Sequence, residues 1–346
     1  MSAPVTVRRR PVPAAPRHGF ARTASSLTLS LALLVLALLA SVMFGSKTTS
    51  PGEVLDVLAG QGDGYLRTVV ESRYPRTVLG VLAGVCLAVA GTLMQGVTRN
   101  PLADPGLLGV NAGASASIVA ATAFLGASGR TDTMWWALPG AFLAGLGVYA
   151  LGTTGGRASP VRLVLAGAVL SAVLAAFIQA VTLSRPRVFE TYRYWVVGSL
   201  GGRSFDVVWS VLPFAVVGLL LALVLGPGLN AMAMGDDTAT SLGARPERIK
   251  AAGLLAAVLL SAAATAAVGP IAFVGLAVPH MVRALVGADF RLQIVFAAVL
   301  GPVLMLFADV VGRVLLRPGE LMVGVVTAFV GAPALLVAVR RMRGTS

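Results

Sequence analysis

The sequence predicts an all-α polytopic membrane protein of about ten transmembrane helices, some short or broken, with a weak inverted repeat. Three observations predict it. The chain of 346 residues is 57% hydrophobic and 12% charged, with a mean hydropathy of +0.86, whereas a soluble domain of that length needs far more polar surface. Apolar runs of about 18 residues or more recur along it, the length a helix needs to cross the hydrocarbon core. Strand-like alternation is absent, which argues against a barrel.

The spans fall at 26–45, 77–95, 106–126, 134–154, 162–183, 206–226, 250–268, 273–287, 291–315 and 320–339. Residues 1–25 are Pro/Arg-rich without periodicity and read as a disordered basic cytoplasmic tail; 341–346 form a second short tail. Between them 26–340 is one membrane domain. Arg8, Arg9 and Arg10 before Leu27–Ala40 have the outline of a signal peptide, but Ala40-Ser41-Val42-Met43 is a poor cleavage site and nine spans follow, so the first helix reads as uncleaved. The second span ends in a polar Pro/Gly loop, Gln95–Pro105, before a new small-residue helix. The backbone groups freed by such a re-entry cannot face lipid, so the loop lines a cavity. The eighth span is too short for a simple crossing and contains Pro279, which predicts a broken or partly buried helix. Forty glycines, among them the pairs Gly80/Gly84 and Gly109/Gly113, fit close helix packing. Arg76–Gly113 and Arg248–Gly287 each run from a basic residue through a small-residue span to a Gly/Pro turn and a short helix. A five-span offset makes these repeats inverted.

With ten spans both termini share a side. Placing them in the cytoplasm puts 16 basic residues inside and 11 outside, the right direction for a multi-pass protein of a bacterial plasma (inner) membrane. The net charge of +13 then reflects tails at an anionic lipid surface, and nothing suggests nucleic acid. The sequence lacks the parts of an enzyme. It has no G-x-x-x-x-G-K-[ST] loop to cradle ATP phosphates and no H-E-x-x-H. His18 and His280 are its only histidines, too few for a catalytic metal site. Ion coupling needs buried carboxylates, and Asp309 is the sole candidate. Cys86, mid-helix among Val and Leu, reads as a small packed apolar residue.

Residues 73–114 read RYPRTVLGVLAGVCLAVAGTLMQGVTRNPLADPGLLGVNAGA. R-x-P-R, A-G followed by G-x-x-M-Q, and R-N-P-L-A-x-P-x-x-L-G-x-x-x-G-A resemble the FecCD, or BtuC-like, permease subunits of ABC importers for iron–siderophore, haem and cobalamin. Gln95, Asn100, Pro101, Pro105 and Gly109 carry that motif. G-P-I-A-F-V-G-L-A-V-P-H-M-V-R at 269–283, with Pro279 and His280, is similar to a second signature of the family; His280 reads as a buried side chain held by a backbone or carboxylate bond rather than as an iron ligand. The resemblance covers about 26–340.

The resemblance implies a permease dimer with a second chain, identical or paralogous, two ATPase subunits below and a solute-binding protein above. ATP would be used by the partner subunit, and no cofactor would be bound directly. It implies an ATPase-coupling loop at Asn230, Met234, Gly235, Ala239, Leu242 and Gly243, whose apolar positions fit one face of short helices. It implies that Arg73, Arg76 and Arg313 receive acidic residues of the binding protein on the outer face. It also implies a pathway at the interface of the two permease chains, faced by the fifth and tenth spans, with Ser159 at an inner gate and Trp195, Gly198 and Gly201 at the outer mouth. The aromatics beside Gly198 also suit an interface belt. The implied cargo is a ferric siderophore, with haem or cobalamin behind. An ion-coupled secondary transporter, or a non-transporting membrane scaffold, are the alternative readings.

Overall fold

Long apolar runs free of internal polar breaks become helices, and the polar interruptions become the joints between them. The computed structural model describes residues 20–45, 49–61, 63–127, 130–153, 160–317 and 319–343. Its helices, in order, are α1 (Phe20–Met43), α2 (Pro51–Leu58), α3 (Gly64–Glu71), α4 (Arg73–Thr98), α5 (Val110–Ala120), α6 (Arg130–Gly152), α7 (Pro160–Ser184), α8 (Pro186–Val196), α9 (Phe205–Ala233), α10 (Asp236–Ser241), α11 (Pro246–Val268), α12 (Val274–Val286), α13 (Phe290–Leu315) and α14 (Val323–Arg343). Among the described residues, seven helices are long and apolar enough to cross a membrane alone, and shorter apolar helices lie at Val110–Leu125, Val274–Val286 and Val323–Pro333. Each of the ten expected spans thus corresponds to an apolar helix, and the third joins the eighth in being short, while α14, the tenth, is 21 residues long. The first begins at Phe20, inside the stretch expected to be tail.

The helix ends bond as alternate crossings require. On one face, outer in the expected orientation, Arg76 meets Glu320 and Arg73 meets Met43. On the other, Arg99 meets Asp236 and Asn230 meets Asp289. At the centre stands α4, buried along most of its length and packed against α9, α11, α12 and α13, while α5 joins α6 and α7 in a second group. Small residues set these distances. A Cβ on Gly301 of α13 would lie 2.2 Å from the Gly84 carbonyl oxygen of α4. One on Gly113 would lie 2.3 Å from Ala144 Cβ, so the paired glycines are contact points, as their spacing implied.

Three short helices were not anticipated. α2 starts at a reciprocal cap: Ser50 Oγ accepts from Glu53 N–H, and Glu53 accepts from Ser50 N–H at 2.6 Å. α3 follows Asp63, which caps Tyr65, and the pair buries Val54, Val57 and Val70 against the outer end of α1. α8 starts at Pro186 and carries the buried Trp195 in its last turn.

Both expected breaks exist, and they meet. α4 ends at Arg99 in the left-handed conformation (φ 51°). Asn100 then folds the chain back by accepting from the Leu102 and Ala103 N–H groups. Asp104 caps the 3-10 turn Pro105–Leu108, and Gly109 (φ 71°) opens α5. In the other repeat α11 ends at Gly269, 270–273 are not helical, and α12 begins after Phe273 (φ 70°). The breaks touch at Gly275: a Cβ there would lie 3.0 Å from Pro105 Cδ and 3.1 Å from Asp104 Oδ2. The inverted repeat thus has a physical junction. The position of the second break corrects one expectation, since Pro279 lies inside a continuous α12 and the interruption precedes it.

Candidate functional sites

At the outer end, Asp309 organises the arginines. Arg76 donates to both of its carboxylate oxygens, the shortest bond being 2.8 Å, and reaches Glu320 at 2.8 Å. Arg313, one α13 turn on, pairs with Asp309 at 2.9 Å and donates to Ser41 O and Oγ. Arg73 donates to the Val42 and Met43 carbonyls and to Thr49 Oγ1. The three expected docking arginines do come together, in one crevice of about 310 Å³ that also includes Arg203 and Glu320. They are not free surface charges, however. Arg73 and Arg313 are buried and bonded within the chain, because the ends of α1, α4 and α13 close over them. Only Arg76, its side chain 14% exposed, keeps a face toward solvent. Asp309, 1% exposed between two guanidinium groups, is committed to ion pairs.

The expected outer-mouth segment is a wedge. Gly198 (φ 73°) lies against Pro270, Ser199 N–H donates to Val268 O at 2.7 Å, and a Cβ on Gly324 would lie 2.1 Å from Val197 O. Gly201 sits beside Arg76. The segment 195–201 thus fills the gap that the α11–α12 break opens. Trp195 corrects the interface-belt reading: it is buried in the core, whereas its neighbour Tyr194 is exposed.

At the inner end, the coupling residues divide. α9 runs to Ala233, so Asn230 lies on a helix rather than in a loop. Its amide donates to Asp289 Oδ1 at 2.7 Å, and its oxygen accepts from Phe290 N–H at 2.8 Å, tying α9 to the start of α13. Gly235 (φ 108°) and Gly243 (φ 82°) bracket α10, conformations that favour glycine. Ala239 was expected on the docking face but is 0% exposed, packed inward by α10, while Met234 and Leu242 stand out at 58% and 64%.

Asp236 was not singled out in the sequence. It pairs with Arg99, at the α4 break, and with Lys250 of α11 at 2.7 Å. The Lys250 hydrogen bond, with Arg99 adding to it, holds its carboxyl below the usual aspartate range. The coupling segment is therefore tethered to the re-entrant loop. Asn100, on that loop, is exposed. It lines a cavity of about 300 Å³ between the re-entry and the start of α7. Ser159 lies outside the described residues.

His280 is exposed on α12 and its ring has no hydrogen bond among the described residues, so the expected buried, bonded histidine is not what forms. α12 turns its opposite side, with Val278, Pro279 and Val282, into the core. No group of three or more His, Cys, Asp or Glu that could hold a metal occurs among the described residues.

Residues 33–341 match the FecCD transport family. The ferric enterobactin transport system permease protein FepD of Escherichia coli (strain K12) is 47% identical over 313 residues, 90% of this chain and 93% of its own. The Fe(3+) dicitrate transport system permease protein FecD of the same organism is 37% identical over 284 residues, covering 82% and 88%. Among solved structures, a metal-chelate type ABC transporter in an inward-facing conformation superposes with a TM-score of 0.79 at 25% identity, covering 92% of this chain and 99% of that one.

Proposed function

The chain belongs to the FecCD transport family, and from that premise we propose that it forms half of the pathway through which an ATP-driven importer moves a ferric siderophore delivered by a solute-binding protein. One observation carries the reading: Met234 and Leu242 present apolar side chains to solvent on a segment fixed by Asp236 to the α4 break and to α11. Apolar side chains there suit insertion into a separate ATPase, and the tether offers a route from that contact to the re-entry. The cargo is proposed from the relatives, whose names specify ferric enterobactin and Fe(3+) dicitrate.

A second permease chain would cover the exposed stripe Val161, Leu165, Val169 and Val173 of α7, one residue per turn, with Phe329 of α14 beside the same pathway. The crevice at Arg76 would receive an acidic side chain of the binding protein. Both termini would lie in the cytoplasm. An ion-coupled mechanism finds no free carboxylate at Asp309, which two arginines already neutralise.

The test is uptake by proteoliposomes holding the permease, its ATPase and its binding protein. Uptake of a ferric siderophore should need ATP inside, and Leu242→Asp should abolish it, since a charge in the ATPase cleft would be buried without a partner. Uptake driven by a proton gradient without ATP would overturn the proposal.

A further inference from the structure

The R-N-P and P-H-x-x-R motifs meet at a site that the expected coupling and docking residues do not include. A pocket of about 250 Å³ opens on the inner face between the ends of α4, α9 and α12 and the start of α13. Gln95 and Arg99 enter it from α4, Arg283 from α12 and Gln293 from α13, and Ala233 forms its rim. Gln95 and Gln293 are only 2% and 1% exposed. Gln293 spends its amide on the Gly287 carbonyl at 2.7 Å, while Gln95 Nε2 and Gln293 Oε1 have no partner among the described residues. Buried amide groups are rarely left so, because each unmade bond costs about 1–3 kcal/mol. Arg99 is engaged by Asp236, whereas the Arg283 side chain makes no ion pair or hydrogen bond among the described residues. The pocket thus holds one guanidinium without an ion pair, an unused amide donor in Gln95 Nε2 and an unused amide acceptor in Gln293 Oε1; a single carboxylate answers the first two.

We propose that this pocket receives a carboxylate side chain of the ATPase subunit, a second anchor beside the apolar one. The proposal rests on the importer reading above. It goes further in naming a polar contact and its chemistry. The position argues for this occupant. Ala233, on the rim, directly precedes exposed Met234, so a partner that covers Met234 lies over the pocket mouth. An acidic side chain entering there would accept from Arg283 and, after a turn of its amide, from Gln95 Nε2. The anchor would bear on α4 and α12, one long helix from the first repeat and one short helix from the second, so the ATPase would hold both repeats at once.

The experiment uses the assembled permease–ATPase complex. Lys47 and Lys250 are the only native lysines, so Arg283→Lys keeps the charge and adds a distinctive amine. A water-soluble carbodiimide activates a carboxylate. Attack by that amine forms an amide and releases the reagent as its urea. In a Lys250→Arg background the R283K complex should give a permease–ATPase crosslink at position 283, with the partner's acidic residue identified by mass spectrometry. The parent carrying Arg283 should give none there. Arg283→Glu should weaken assembly at least tenfold at low salt, and R283K should not. An intact R283K complex with no crosslink would overturn the proposal, even were R283E too unstable to assemble. Leu242→Asp separates the two readings. Lost assembly with L242D beside a silent R283K refutes this anchor alone, and unchanged assembly with L242D refutes the coupling reading beneath it.

Discussion

Gly91 of α4 and Gly275 of α12 are in backbone contact: a Cβ on Gly91 would lie 1.9 Å from the Gly275 carbonyl oxygen. That carbonyl is the one to which Pro279, lacking an N–H, cannot donate. It packs against bare backbone at the point where the two repeats join. Gly91→Ala should therefore destabilise the permease by about 1–3 kcal/mol, the usual cost of overpacking. Thermal unfolding in detergent would register it as a lower midpoint, and an unchanged midpoint would show that the helices part easily. Gly147, with nothing within 4 Å, is the control position for the same change.

Asp309→Asn should be the most damaging single neutralisation at the outer end. It leaves the buried guanidinium of Arg313 without its carboxylate, and breaking a buried pair costs about 3–5 kcal/mol. The expected result is loss of monodisperse protein after extraction. Asp309→Asn together with Arg313→Met should recover part of the loss, because it removes the stranded charge.

At Asp236 the depressed pKa fixes the direction of a pH effect. A carboxyl whose folded value lies below its usual value of about 3.9 contributes stability above that value and loses it as pH falls through the folded one. Fastening of 234–243 should thus hold at neutral and mildly acidic pH and fail only in stronger acid. Asp236→Asn should loosen it at every pH. A nitroxide label on Leu242→Cys, with Cys86 replaced, reads this as mobility. Loosening near pH 6 in the parent would contradict it.

Glu320 competes with any visiting carboxylate for Arg76. Glu320→Gln should therefore speed association of the binding protein a few-fold at low salt, with a steeper salt dependence, as expected for charge steering. The changed Arg76 environment should leave the buried Arg313–Asp309 pair intact. A slower rate, or no change, would remove this crevice as the docking site.

Cysteine at Leu165, again without Cys86, should crosslink to its counterpart if two identical chains meet along the α7 stripe. Val224 on α9, also apolar and more exposed than Leu165, should not. Crosslinking at 224 in place of 165 would put the dimer axis elsewhere.

Apolar length made the spans readable, and both breaks were visible because Pro101, Pro105, Gly269 and Pro270 interrupt otherwise continuous runs. The outer helices α2 and α3 were missed beneath the stronger hydropathy signal, although Ser50-Pro51-Gly52-Glu53 spells a capping box. Burial could not be read at single positions. Arg73 and Arg313 have the sequence appearance of surface charges, and only the fold brings Ser41, Thr49 and Asp309 around them. Ala239 shows the same limit, since α10 is too short for its period to define an inner side. The Asp236–Arg99 pair spans 137 positions, a separation at which one sequence gives no sign of pairing.

The shortness of α12 bears on how the chain is made. Thirteen residues cannot span the hydrocarbon, and the non-helical lead-in exposes backbone groups that lipid cannot satisfy. The surfaces that accommodate them, α4 with Gly91 and the wedge at 197–201, both precede 269–286 in the chain. Synthesis from the N-terminus thus places the receptacle in the bilayer before the piece that needs it emerges. In a chain started after residue 98, which lacks the native Cys86, a cysteine placed at Val278 should react with water-soluble thiol reagents.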